Sequence, residues 1–501
     1  MPDPYYISTA ISYPNGEPHI GHAYEAIAAD VMARFRRAQG REVFFLTGTD
    51  EHGLKMAQAA RARGLEPKQL ADEMSGKFKA MCDRLDVSYD RFIRTTDPDH
   101  YAASAAIWRA MEARGDLYLD RYEGWYSVRD EAYYDEDELV VGEDGAKRSP
   151  QGTPVEWTVE ESWFFRLSAY QQPLLDHYAA NPGFIQPESR RNEVLRFVEG
   201  GLKDLSVSRT SFDWGIPVPG SDNHVMYVWL DALTNYLTGV GYPGGGALYE
   251  KYWPADCHLI GKDVVRFHAV YWPAFLMSAD LALPKMVYGH GHLLARGGEK
   301  MSKSLGNTVA PLAMAERYGV DALRYYLLRE VTFGQDGGVG EESLVTRCNA
   351  ELANSFGNLA QRSLSMVLKN LDGILPPPGE ADADRALLAE VDRGCAGLAE
   401  EFDRFAFAAG IDVWMRAVFA ANAYVDEQAP WALKKTDPAR MAAVLGTLVE
   451  AVRRLAKAIQ PVVPASAERL LGFIAEGDGD QAIAQPTPIF PRLEIAVEDA
   501  A

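Results

Sequence analysis

Two histidines, His19 and His22, lie in the run Ser12-Tyr13-Pro14-Asn15-Gly16-Glu17-Pro18-His19-Ile20-Gly21-His22. Far downstream is a second polar run, Lys300-Met301-Ser302-Lys303-Ser304. Side chains three apart on a helical turn can face one ligand, and imidazoles there serve as hydrogen-bond donors. Gly21 between them lets the backbone approach that ligand closely. Lys300 and Lys303 sit in a glycine-bearing stretch, Arg296-Gly297-Gly298-Glu299 before and Leu305-Gly306-Asn307 after, that reads as a surface loop. Two ammonium groups on such a loop neutralise phosphate charge. Taken alone, paired histidines at a turn are as readily structural, and paired lysines are more readily a solvated loop. A glycine between the histidines, after a strand and before a helix, favours the ligand reading.

The elements around the histidines supply that setting. Tyr5 to Ser12 is aromatic and β-branched enough to form a buried strand, and Pro14-Asn15-Gly16 breaks it. After Gly21 the periodicity is helical, with Ile27, Val31 and Phe35 on one face and Gly40 as a stop. A helix N-terminus offers N–H groups and partial positive charge, which suit a triphosphate. Val43 to Thr47 is a second strand, and helices are predicted from near Glu66 and His100. This βαβ rhythm predicts a parallel sheet of Rossmann type over residues 1–114. Residues 115–223 change texture to aromatic, turn-rich sequence and read as a small α+β insertion. The alternation returns over 224–295, with strands at His258 to Ile260 and Met286 to Tyr288. The lysine loop and its surroundings occupy 296–340, and 341–501 reads as an all-α bundle. The fold expected is therefore an α/β catalytic domain split by an insertion and followed by helices.

Bulk properties exclude several classes. A chain of 501 residues with 47% apolar and 24% charged content is globular and multidomain. No apolar run is long enough to span a bilayer, and the Met1-Pro2-Asp3-Pro4 start lacks the pattern of a secretory signal. The four cysteines (Cys82, Cys257, Cys348, Cys395) show no disulfide spacing, which fits a cytoplasmic protein. A net charge of −21 argues against DNA binding and against any non-specific nucleic-acid binding, while leaving room for an RNA partner held by a few basic residues.

In their order and separation, the two motifs resemble the signatures of class I aminoacyl-tRNA synthetases. The resemblance is closest to the methionyl-tRNA synthetases and covers nearly the whole chain. It is carried further by Phe44-Phe45-Leu46-Thr47-Gly48-Thr49-Asp50-Glu51-His52-Gly53, by Tyr227-Val228-Trp229-Leu230-Asp231-Ala232-Leu233 and by His258-Leu259-Ile260-Gly261-Lys262-Asp263. Phe267-His268 with Trp272-Pro273-Ala274, and Tyr424-Val425-Asp426-Glu427-Gln428-Ala429-Pro430-Trp431, complete it.

The resemblance implies a methionine–tRNA ligase that uses ATP with Mg²⁺. Its reacting-phosphate residues would be His19, His22, Lys300 and Lys303, with Gly21, Gly261, Asp263 and Lys303 at the ATP. Tyr13, Asp50, Trp229, Ala232, Tyr236, Val264 and His268 would hold L-methionine, Asp50 taking the ammonium. Asn358, Arg362 and Trp431 would read the anticodon of tRNA(Met), the initiator included. Asn358 and Arg362 are four apart on one helix face, and Trp431 follows Pro430 in a polar loop; their plain alternative is a helix-surface pair and a half-buried tryptophan, that of each pocket aromatic is core, and that of Asp231 is a structural carboxylate. Many relatives build a zinc knuckle in the insertion, but no cysteine lies between Cys82 and Cys257, so no zinc or other structural metal is expected and the insertion should depend on its aromatics, such as Trp125 and Trp157. The sequence ends soon after Pro491-Arg492-Leu493, without the dimerising domain some relatives add, so a monomer is expected. The rivals are a class I synthetase for leucine, isoleucine or valine, and a non-catalytic RNA-binding scaffold.

Overall fold

The computed structural model describes residues 3–129, 132–142, 144–295, 310–476, 482–483 and 485–495. The chain divides into two compact units, one of Met1–Pro18, Arg36–Asp83 and Val87–His290, the other of His19–Phe35, Arg84–Asp86 and Gly291–Ala501.

The first unit is built on six parallel strands in the order Arg91–Arg94, Glu42–Thr49, Pro4–Thr9, Cys257–Gly261, Val287–His290 and Ile185–Gln186. The central strand pairs on both edges, Ile7 lying opposite Phe45 on one side and Cys257 on the other. Its residues Tyr5 to Thr9 are all buried, as expected of a parallel strand covered on both faces. Gly48 is required by this pairing, because a methyl there would collide with the Ile93 carbonyl. Trp108, Phe165, Tyr236, Trp272 and Phe275 fill the core around the sheet. Ile185–Gln186 arises inside the stretch read as insertion yet forms the sheet's outer strand against Val287.

The insertion is an antiparallel ribbon, Leu117–Ser127 against Glu156–Phe165, flanked by Ala132–Tyr134 and Leu205–Ser206. At the base Phe164 and Phe165 are buried, and towards the tip Trp125 meets Trp157 edge-on at 5.4 Å. Aromatics do not hold the tip alone. Thr153 Oγ1 lies 2.7 Å from both Ser127 Oγ and Ser149 Oγ, and all three hydroxyls are buried. Ser149 Oγ also accepts from the backbone N–H of Gln151 at 3.2 Å, which closes the turn. Among the described residues no group of three His, Cys, Asp or Glu side chains is arranged to hold a metal ion. The hydroxyl knot ties the turn to the ribbon. Thr153→Val keeps the shape and removes the central hydroxyl, so Ser127 and Ser149 each lose one buried hydrogen bond, at about 0.5–1.5 kcal/mol each. The expected result is earlier protease cleavage within residues 128–153, with the global urea midpoint moved much less; equal protection of both proteins would refute the knot.

The second unit is helical. Helices Pro311–Tyr318, Val320–Glu330, Glu341–Arg347 and Asn358–Asn370 precede Asp382–Asp403, Phe407–Gln428, Pro430–Thr436, Pro438–Ile459 and Pro464–Glu476. Phe402 contacts Phe35 at 5.6 Å and Phe407 at 5.2 Å, both edge-on. Arg324 is fully buried, yet its guanidinium is satisfied. It donates to Asp30 Oδ2 at 2.5 Å and to the carbonyls of Leu85, Pro461 and Val462 at 3.0–3.1 Å. One arginine thereby joins three separate chain segments, and its charge is matched by the buried Asp30. No described helix is long and apolar enough to cross a membrane.

Candidate functional site

In open α/β sheets the ligand crevice lies at the carboxyl ends of the strands, where the strand order reverses. Here the chain runs outward from Pro4–Thr9 through Glu42–Thr49 to Arg91–Arg94, then returns to the other side at Cys257–Gly261. The reversal point is bordered by the residues after Thr9, after Thr49 and after Gly261. Gly261 ends its strand, and the exposed Asp263 follows in the short turn Lys262–Val264.

Five of the predicted pocket residues, Trp229, Ala232, Tyr236, Val264 and His268, come from one helix and the turn beside it. Helix Val228–Thr238 carries Trp229, Ala232 and Tyr236, at spacings that share a face. Trp229 stacks on Phe267 with centroids 3.8 Å apart and planes 7° from parallel, and lies 6.2 Å from His268. The Tyr236 hydroxyl is 2.7 Å from His268 Nε2, and His268 Nδ1 is 2.9 Å from the Val264 carbonyl. A carbonyl only accepts, so Nδ1 carries the proton and Nε2 accepts from the tyrosine hydroxyl. Burial, partly countered by the bond to Val264, lowers the His268 pKa to about 4, so the ring is neutral at pH 7. His258 stacks on Tyr236 at 3.9 Å, and burial followed by the nearby His268 holds its pKa well below the ordinary value. The result is an uncharged aromatic wall with one oriented hydroxyl.

Asp50 follows the second strand and is buried. Its backbone N–H donates to the Ser12 carbonyl at 2.9 Å, and Ser12 N–H donates to Gly48 O at 2.9 Å, so the carboxylate loop and the segment leading to Tyr13 are pinned together. The Tyr13 hydroxyl accepts from Met56 N–H at 2.9 Å, and Tyr13 packs against the buried cluster of Met56, Ala60, Leu70 and Met74. A carboxylate loop beside an uncharged aromatic wall suits a small ammonium-bearing molecule with an apolar side chain.

His19 and His22 belong to the second unit. Their rings stack with centroids 3.7 Å apart. His19 Nδ1 accepts from Gly21 N–H at 3.1 Å, and His22 Nδ1 accepts from His19 N–H at 3.1 Å. Both rings therefore carry their proton on Nε2, as donors. A Cβ at Gly21 would sit 3.0 Å from His19 Cε1, so the glycine makes room for the imidazole itself, a use that its spacing did not reveal. Lys300 and Lys303 lie outside the described residues.

Also in the second unit, Asn358 is exposed on the helix that carries Arg362. Arg362 sits 5.9 Å from the Trp431 ring and 3.7 Å from Asp426, and Trp431 is 53% exposed. Trp431 is not in a loop. Ala429 takes a left-handed conformation (φ 41°), and Pro430 opens helix Pro430–Thr436 with Trp431 in its first turn. The preceding helix end is fixed by Arg440, which donates to Gln428 Oε1 at 2.7 Å and to Asp384. Burial raises the Asp384 pKa, but the bonds from Arg440 and Tyr424 outweigh it and hold the group below its usual range.

Sequence reasoning missed the polar side chains joined around the Asp50 loop, namely the buried Glu51, His52 and His100 and the half-buried Arg94 and Trp214, and named Asp231 without its partners. They come from distant segments, and only the charge of residues in otherwise apolar runs hinted at them.

Residues 5–364 match the family model described as tRNA synthetases class I (M), and residues 376–487 match the anticodon binding domain of methionyl tRNA ligase. The methionine–tRNA ligase of Brucella suis biovar 1 is 55% identical over 509 residues, covering 99% of both chains. That of Mesorhizobium japonicum is 58% identical over 476 residues, 94% of this chain and 91% of the other. The structure of Mycobacterium tuberculosis methionyl-tRNA synthetase in complex with methionyl-adenylate superposes with a TM-score of 0.94 at 54% identity, covering 98% of this chain and 100% of that one.

Proposed function

This chain belongs to the methionyl branch of the class I tRNA synthetases, and we propose that it joins L-methionine to tRNA(Met), initiator tRNA included, in two steps. In the first, a methionine carboxylate oxygen attacks the α-phosphorus of ATP. The bond to the bridging oxygen breaks and pyrophosphate leaves. In the second, a ribose hydroxyl of the terminal adenosine attacks the methionyl carbonyl and AMP leaves. The substrate supplies the nucleophile, so the protein's work is alignment and stabilisation of charge.

The observation that carries the reading is the uncharged wall of Trp229, Tyr236 and His268 near a buried carboxylate loop at the strand reversal. A thioether is apolar and polarizable and packs well on aromatic rings, and a neutral His268 costs it no desolvated charge. Asp50 takes the ammonium, and Tyr13, Ala232 and Val264 complete the surroundings. His19 and His22 donate to the phosphates through Nε2, with Gly21 between them, while Gly261 and Asp263 serve the nucleoside. Lys300 and Lys303 neutralise pyrophosphate. Mg²⁺ supplied with ATP would help to neutralise phosphate charge. Asn358, Arg362 and Trp431 contact the anticodon. A monomer working in the cytoplasm is the proposed setting.

Amino-acid-dependent ATP–pyrophosphate exchange tests the reading. Methionine is expected to support exchange best. Homocysteine, one methyl smaller, should trail it by about 10- to 200-fold in kcat/KM, the limit for such a loss in an apolar pocket. Leucine, isoleucine and valine should give background rates. Equal rates with leucine, or no exchange with any amino acid, would overturn it.

A further inference from the structure

We propose that Asp231 is a positioning residue that fastens the Asp50 loop to the helix bearing the aromatic wall, acting through His52 while His100, from helix Pro98–Arg114, orients the same carboxylate. The proposal rests on the reading of Asp50 as the ammonium partner. Asp231 stands on the same helix as Trp229, Ala232 and Tyr236 and is fully buried. Its Oδ2 lies 2.7 Å from His52 Nδ1, and its Oδ1 lies 2.8 Å from His100 Nε2. Those partners are 179 and 131 residues away in sequence, on the half of the split fold that precedes the insertion.

The proton positions follow from the acceptor. Burial raises the Asp231 pKa, but the two imidazoles more than offset it, so the group is a carboxylate at pH 7. A carboxylate only accepts, so His52 presents its Nδ1–H and His100 its Nε2–H. His100 is anchored a second time on the same helix, with Nδ1 3.0 Å from Thr238 Oγ1. His52 is anchored on its other side, with Nε2 2.9 Å from the Tyr101 hydroxyl and its ring 5.3 Å from that of Trp214.

The loop between His52 and Asp50 has little freedom left. Trp214 Nε1 donates to the Glu51 carbonyl at 2.7 Å, and Gly53 N–H donates back to the Trp214 carbonyl at 3.0 Å. The fully buried Glu51 carboxylate accepts from Thr49, Thr96 and both Nε and Nη2 of Arg94, at 2.6–2.9 Å. Asp50 is thus set by a bonded frame in which Asp231, on the wall helix, reaches the carboxylate loop through His52 and helix Pro98–Arg114 through His100. An error of about an ångström in such a frame moves an ion pair out of register, and the reaction feels it without any contact being lost at the substrate.

The frame is testable because its geometry is atom-specific. Asp231→Asn keeps size but turns one acceptor into a donor facing an imidazole N–H. The methionine KM in pyrophosphate exchange should rise about tenfold, with the ATP KM unchanged within about twofold. An asparagine amide stands where a histidine Nδ1 stands, and a glutamine amide where Nε2 stands. So His52→Asn and His100→Gln should keep a near-normal methionine KM, whereas His52→Gln and His100→Asn should raise it about as much as Asp231→Asn. A role limited to stability would make the four histidine variants track their melting temperatures and shift both KM values together, which would overturn the proposal. If Asp231→Asn fails to fold, the asymmetry between the two histidine pairs decides. Asp50→Asn run in parallel separates two failures: a normal methionine KM there overturns the ammonium reading, and a normal KM in Asp231→Asn alone overturns the fastening.

Discussion

Replacing Asp50 by alanine lowers kcat/KM for methionine activation by about 2–5 kcal/mol, roughly thirtyfold to several thousandfold, the cost of removing one partner from a buried, hydrogen-bonded charge pair. The loss falls on methionine rather than ATP. Asp50 is buried at the end of the second strand, and water cannot replace it cheaply as the partner of a desolvated ammonium. The backbone there is held by bonds that do not use the Asp50 carboxylate, namely its own N–H to Ser12 O and the clamp on Glu51 by Arg94. The loop is therefore expected to keep its shape in the variant, and the melting temperature should move little. Asp50→Asn keeps one acceptor and should recover part of the loss. Exchange kinetics at varied methionine, with ATP saturating, measure the effect. A change in methionine kcat/KM of under threefold would remove Asp50 from the site.

The parallel sheet was open to sequence reasoning because its central strands are strongly apolar. Pro4–Thr9 and Glu42–Thr49 are buried on both faces, and runs such as Val43-Phe44-Phe45-Leu46 leave no other reading. The outer strand Arg91–Arg94 escaped notice because only Ile93 of its four residues is buried. Helix Leu54–Ala62 buries just Met56 and Ala60 and gives an equally faint pattern. The site divided in the same way. Trp229 stands in a quoted motif and Tyr236 just beyond it, whereas Asp231 between them read as a structural carboxylate with no sign of which residues it holds, and its two histidines come from elsewhere. Hydrogen bonds between side chains more than a hundred residues apart leave no periodicity. The hydroxyl knot at Thr153 is hidden for a related reason: serine and threonine are the ordinary content of turns, and only burial shows that these are structural. Trp431 misled in the other direction. A proline after a polar run suggests a loop, but proline is equally the first residue of a helix, and the left-handed Ala429 before it makes the corner.

Trp431→Ala combined with Arg362→Ala should lower kcat/KM for tRNA charging by about 2–5 kcal/mol while leaving methionine-dependent pyrophosphate exchange within about twofold of normal. Stacking of a single-stranded base on an aromatic ring is worth about 1–3 kcal/mol, and a guanidinium beside the ring adds edge hydrogen bonds and charge. Trp431 has the exposure such a platform needs, at 53%, and Arg362 stands 5.9 Å from its centroid. The two removals should be less than additive, because each group supports the other's placement. Nearby Asp426, 3.7 Å from Arg362, competes for the guanidinium, so the arginine must exchange a surface ion pair for the RNA. Exposed pairs of this kind contribute only about 0–1 kcal/mol, and the exchange is affordable. With a net charge of −21 the rest of the surface contributes little attraction, so affinity concentrates in such contacts. Losing Arg362 should then flatten the salt dependence of tRNA affinity, and losing Trp431 alone should not. Parallel loss of exchange and charging in the double variant would show that the helical unit had been disturbed as a whole; equal charging by variant and parent would remove both residues from the RNA contact.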